Sequence, residues 1–168
     1  MHDATPVSIE EHTVSGPEAG PYTLTTGPDG ALWFTLVHRG RLVPGERPTD
    51  HRLDPDSGPT VITAGPDGAL WFTLNQGNAL GRIGMDGAVA LHPLPTEAAG
   101  PVGIAAGRDG ALWFTEIAAG QIGRITPEGR ITEFPLPDRA ARPHGITVGP
   151  DGALWTALET GSLARIAR

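Results

Sequence analysis

Gly27-Pro28-Asp29-Gly30-Ala31-Leu32-Trp33-Phe34-Thr35 occurs, with small changes, four times in this chain. It returns almost unchanged at 65–73, at 107–115 with Arg108 in place of the proline, and at 149–156 with the phenylalanine lost. The four tryptophans, Trp33, Trp71, Trp113 and Trp155, fall one per copy, at spacings of 38, 42 and 42 residues. A fixed period near 42 is the signature of a repeat architecture and outranks local propensity.

One copy can be read physically. Pro-Asp-Gly is turn chemistry: Pro presets φ, Asp caps its own backbone, and Gly takes positive φ. Ahead of the turn runs a short apolar segment, Val102-Gly103-Ile104-Ala105 in the third copy. Behind it, Trp and Thr face one way and Leu and Phe the other. Gln121-Ile122-Gly123-Arg124-Ile125, a Pro-Glu-Gly turn and Arg130-Ile131-Thr132-Glu133-Phe134 complete the period. Four short antiparallel strands every 40–45 residues describe a β-propeller blade. The expected fold is therefore all-β: a β-propeller of four repeats, as a closed four-blade ring or an open partial propeller, with 1–168 as one domain.

Composition limits the functional classes. The 24 glycines and 17 prolines are periodic and sit at turns, unlike a low-complexity chain. A formal charge of −7 argues against nucleic acid and anionic membranes as partners. There is no cysteine, hence no disulfide and no thiol catalysis. The first residues lack the basic and apolar regions of a signal peptide, and no apolar run reaches 18 residues. The expectation is a soluble cytoplasmic protein, monomeric, or self-associating if the ring is open.

Two stretches break the pattern. Residues 7–14 resemble the fourth strand of a copy, and the last copy lacks one, so 7–14 are expected to complete the last blade near residues 163–166; a frayed tail is the alternative. In the first copy Pro44 falls where the third strand should continue, which predicts an irregular loop over roughly 43–50.

Ligands of a propeller bind at one mouth of its axis. The residue after the Pro that opens each first strand projects there: Tyr22, Thr60, Val102 and His144. His144 is the ionisable member at neutral pH and a candidate proton shuttle; a channel-lining histidine without chemistry is the other reading. Glu159, four residues past Trp155, shares its face, whereas Glu116, three past Trp113, faces the opposite way. Glu159 is a candidate oxygen ligand for a hard cation such as Mg2+, or a solvated edge residue. His2, His12, His38, His51 and His92 have no metal-ligand spacing.

The motifs G-P-x-x-I-T-x-G-P-D-G-A-L-W-F-T, Gln121-Ile122-Gly123-Arg124-Ile125, Ile131-Thr132-Glu133-Phe134-Pro135-Leu136-Pro137 and Arg142-Pro143-His144 resemble the virginiamycin B (streptogramin B) lyases over nearly all of 7–168. The resemblance implies a Mg2+-dependent carbon–oxygen lyase of a seven-bladed family, conferring antibiotic resistance. Such lyases open the cyclic depsipeptide of B-type streptogramins by elimination, with a histidine taking the proton α to the threonine carbonyl. It places Glu159 on the metal and His144 as base or substrate ligand; Tyr22, from its place at the axis mouth, is a further candidate for substrate binding. The resemblance further implies that internal blades are missing. Where the family's last blade carries a metal-binding Glu before Pro-His-Gly, this chain has Arg142. A non-catalytic binding or scaffold module is the alternative, and a propeller enzyme acting on a lactone or ester is a third reading.

Overall fold

The computed structural model describes residues 8–45 and 51–167, and among them it holds fifteen strands and no helix. Blade one consists of β1 (Pro21–Thr26), β2 (Leu32–Leu36), β3 (Arg41–Pro44) and β4 (His51–Arg52). Blade two has β5 (Pro59–Ala64), β6 (Leu70–Leu74), β7 (Ala79–Ile83) and β8 (Val89–Pro93). Blade three has β9 (Pro101–Ala106), β10 (Leu112–Glu116), β11 (Gln121–Ile125) and β12 (Ile131–Pro135). Blade four has β13 (Pro143–Val148), β14 (Leu154–Leu158) and β15 (Ser162–Ile166). Each blade is an antiparallel meander in sequence order. First strands pack on first strands, β1 on β5, β5 on β9 and β9 on β13, so they line the axis.

The repeated turn behaves as its residues dictate. Gly30, Gly68, Gly110 and Gly152 adopt φ of 77°, 74°, 77° and 81°. The Asp carboxylate caps the backbone two residues on, as in Asp29 Oδ1 accepting from Ala31 N at 3.1 Å. It also accepts from the tryptophan Nε1 of its own copy, at 3.0–3.2 Å in all four blades. In the last three blades it further takes an arginine from the third strand: Arg82 on Asp67, Arg124 on Asp109 and Arg165 on Asp151. In the first three blades the fourth strand closes over the tryptophan. His51 stacks on Trp33, His92 on Trp71 and Phe134 on Trp113, at centroid distances of 5.5, 5.6 and 5.8 Å. Two of the histidines without metal spacing are thus ring partners.

Strand alternation places the core between blades. Trp33 packs with Leu70 and Phe72 of blade two. Trp71 packs with Leu112 and Phe114 of blade three, and Trp113 with Leu154 of blade four. The tryptophans of blades one to three thus face the following blade, and Leu70/Phe72, Leu112/Phe114 and Leu154 face the preceding one. Phe72 and Phe114 lie across from Gly81 and Gly123, where a Cβ would collide with the phenyl ring. Gly123→Ala is expected to destabilise the protein by about 1–3 kcal/mol, the usual cost of overpacking a filled core, as read from urea unfolding.

A threonine one position past each phenylalanine fastens neighbouring blades. Thr73 Oγ1 accepts from Val61 N of its own blade (3.1 Å) and donates to Val102 O of the next (2.7 Å). Thr35 does the same between Thr23 N and Thr60 O, and Thr115 between Gly103 N and His144 O. These hydroxyls are buried, so an unpaired one would be costly.

The arc is open. Packing runs from blade one to blade four and is not carried round from four to one among the described residues. On blade one Leu24 and Leu32 are exposed, and with Tyr22 and Phe34 they border a groove of about 1130 Å3. The expected completion of the last blade by residues 7–14 is not what forms. Residue 7 lies outside the described residues, 8–14 carry no strand, and blade four keeps three strands. His12, Thr13, Val14 and Ser15 instead border the groove on blade one. Pairing to blade four requires the two ends of the arc to meet, and they do not. In blade one, β3 extends through Pro44 against Trp33, so the irregularity starts later than residue 43. Strand β4 is cut to two residues, opposite Arg41 and Leu42. Residues 46–50 of the expected loop lie outside the described residues.

Candidate active site

All four axis-lining strands share one irregularity. Each opens on a proline, and its next two residues oppose a single residue of the second strand. That is a β-bulge, a device that re-aims a side chain at a strand end. It displaces Tyr22, Thr60, Val102 and His144 in turn. Thr60 is buried beneath its neighbours, Val102 is half-buried, and Tyr22 and His144 are exposed. Tyr22 lies on the first blade and His144 on the fourth, with two blades between them.

His144 is held by its backbone and aimed by its ring. Its carbonyl accepts from Thr115 Oγ1 at 2.7 Å. Gly103 lets the inner strand of blade four come this close, since a Cβ there would lie 2.5 Å from the same carbonyl. The ring Nε2 lies 2.6 Å from Glu159 Oε1. Glu159 follows β14 directly, and its N–H donates to the carbonyls of Ala141 (3.0 Å) and Arg142 (3.4 Å). Its second oxygen, Oε2, accepts from Arg142 Nε at 2.6 Å. The hydrogen bond from His144, and then that from Arg142, hold the Glu159 carboxyl below the usual range. The ring thus rests on an ionised carboxylate, an arrangement that orients a general base and stabilises its protonated form.

This trio does not fit a Mg2+ ion. Mg2+ is held by one or two carboxylates with open oxygens and several waters. Glu159 offers one carboxylate, with each oxygen already bonded, and Arg142 places a fixed positive charge beside it. No cluster of three His, Cys, Asp or Glu converges anywhere among the described residues.

Strand alternation places a second acid on the face opposite Trp113 but does not show its depth. Glu116, at the end of β10, is fully buried. Burial pushes its carboxyl up to about 7, and the neighbouring Glu133 pushes the same way against Gln121 and Arg139. Its Oε2 accepts from Gln121 Nε2 at 2.6 Å, and its Oε1 has no hydrogen-bonding partner. Glu133 in turn holds the segment between blades two and three, accepting from Thr96 N and Oγ1 at 3.2 and 2.8 Å. The signal was available: the other copies have Leu36, Leu74 and Leu158 at this core-facing position.

The fold and its axis site define a β-propeller built on a Trp-centred repeat, with a histidine–carboxylate pair at the mouth of its axis. A model of the Virginiamycin B lyase family matches residues 7–73 and 49–167, and the chain belongs to that family. A virginiamycin B lyase of Saccharopolyspora erythraea is 63% identical over 51 residues, 29% of this chain and 17% of that protein. The crystal structure of virginiamycin B lyase from Staphylococcus aureus superposes with a TM-score of 0.88 at 44% identity, covering 95% of this chain and 56% of that one. A catalytically inactive form of the S. aureus enzyme, solved with quinupristin, superposes at 0.83 and 40% identity over 94% and 58%. The chain thus spans little more than half of these solved relatives. Its four blades keep the relative placement of a longer propeller, which is why the arc stays open. Among the described residues no helix is long and apolar enough to cross a membrane.

Proposed function

We propose that this chain linearises B-type streptogramin depsipeptides by carbon–oxygen elimination, with His144 as the base. The observation that carries this reading is the 2.6 Å contact of His144 Nε2 with Glu159 at an exposed bulge of the axis. With Nε2 donating to the carboxylate, Nδ1 holds the free lone pair. It takes the proton α to the threonine carbonyl. The C–H electron pair becomes the new C=C bond, and the ester C–O bond breaks with its pair on the departing carboxylate oxygen. Glu159 stabilises the imidazolium until its proton is released to solvent. The relative solved with quinupristin supports a cyclic depsipeptide as the ligand class. Mg2+ is implied by the resemblance alone; the residues at Glu159 do not fit it, and no step is assigned to it. A cytoplasmic location is part of the same reading.

The test is incubation of the pure protein with quinupristin, followed by chromatography and mass spectrometry. Elimination gives a linear isomer of unchanged mass, whereas hydrolysis adds one water. The expected result is the isomer. Recovery of intact antibiotic alone sinks the proposal. The separation of Tyr22 and His144 by two blades favours a second reading, a non-catalytic module that holds the antibiotic, and binding without any linear product supports it.

A further inference from the structure

The site contains a residue in the wrong backbone conformation for its type. Ahead of the axis-lining prolines of blades one to three stand Gly20, Gly58 and Gly100, with φ of 65°, 61° and 65°. Each carbonyl there accepts from the residue that follows the second strand: Val37, Asn75 and Ile117. The left-handed conformation is what this corner requires, and glycine adopts it without penalty. Blade four makes the same corner with Arg142, at φ 52°. A branched-off Cβ is disfavoured there, and a non-glycine outlier beside a candidate site is grounds for a functional hypothesis.

Its side chain shows what the strain obtains. Arg142 Nε donates to Glu159 Oε2 at 2.6 Å, while His144 Nε2 takes Oε1 at the same distance. No other hydrogen bond joins the guanidinium to the described residues, and the side chain is half-exposed. Arg142 therefore fixes the carboxylate that fixes the imidazole. It also fills the place a cation would need. A divalent ion on Oε2 would have to displace a charge-assisted bond and then sit beside a guanidinium that never loses its charge.

We propose that Arg142 is a positioning residue that replaces a divalent metal at Glu159: it neutralises and orients the carboxylate, keeps Mg2+ off it, and so holds His144 in line. The inference rests on His144 as the base of the proposed reaction, but its central test does not need turnover. Broadening of the His144 ring resonances by millimolar Mn2+ is measured by proton NMR on the full chain, with His144→Ala assigning the signal. In the unchanged protein the ring signal is expected to stay sharp. In Arg142→Gly it broadens, because Glu159 and His144 are then open to the ion. Arg142→Lys, which keeps the charge, stays sharp. Arg142→Gly is expected to melt no lower than the unchanged protein, since glycine relieves the backbone and an exposed ion pair contributes little. Equal broadening in the unchanged protein and in Arg142→Gly overturns the proposal. So does a melting temperature several degrees lower in Arg142→Gly, which would make the arginine a structural brace. Where ring opening is detected, it should survive EDTA, fall in Arg142→Gly and recover in part in Arg142→Lys. A preparation with no turnover at all refutes the reaction, while the Mn2+ result still decides the role of Arg142.

Discussion

Replacing His144 with alanine is expected to lower streptogramin ring opening by about 10²–10⁴-fold, the range a positioned general base contributes. The fold should be unchanged. What anchors this position to its neighbours is the His144 carbonyl on Thr115 Oγ1, which any residue retains. The ring itself projects from an exposed bulge and fills no core cluster. Glu159→Gln should cost less than removal of the ring. The amide oxygen still accepts from Arg142 or His144, but it offers no charge to the imidazolium. The comparison uses initial rates of the linear isomer by chromatography, with circular dichroism as the check on folding. Activity that survives His144→Ala would move the base elsewhere, and no other exposed histidine lies on an axis bulge among the described residues.

The second large effect concerns Glu116 and stability. Its ordinary pKa of 4.5 is raised in the folded chain to about 7. Between these values the unfolded chain has released its proton and the folded chain still holds it. Stability from this group is thus full below pH 4.5, falls through that window, and is gone above about 7. A shift of this size corresponds to about 3 kcal/mol at most. Glu116→Gln removes the titration. Its amide oxygen can accept from Gln121 Nε2 as Oε2 does, and its NH2 group stands where Oε1 has no partner, beside Glu133. At pH 8 the variant is expected to be more stable than the unchanged protein by about 2–3 kcal/mol, with the advantage shrinking towards pH 4.5. Urea unfolding at several pH values measures it. Parallel stability curves for the two proteins would mean that Glu116 ionises as an ordinary carboxylate.

How much of this could be read in the chain depends on the range of the interaction. Trp33 through Trp155, the Asp-Gly turns and the Trp/Thr against Leu/Phe alternation were legible, because turn and strand preferences act within a few residues. The interblade bonds of Thr35, Thr73 and Thr115 were not, since the acceptors lie 25 to 29 residues away. Residues 7–14 have the pattern of a strand, but a strand also needs a free edge within reach, and the open arc provides none there. At the site, His144 and Glu159 were legible as candidates from position in the repeat. Their direct contact depends on the bulge after Pro143 and on the strained corner at Arg142, which are properties of the backbone. Glu116 was legible only as an acid facing away from Trp113, and its meaning required knowledge of its burial.

The three interblade clusters give the chain the character of a linear array. Blades two and three each have two neighbours, and blades one and four each have one. In such an array stability is a sum of unit and nearest-neighbour terms. At each of the three junctions the tryptophan of one blade meets the second-strand leucine of the next, joined by a phenylalanine in the first two. A unit can therefore be lost or gained between two others without any new interface having to be invented. Blade number in this architecture is free to change by whole steps, while the geometry within each blade stays fixed.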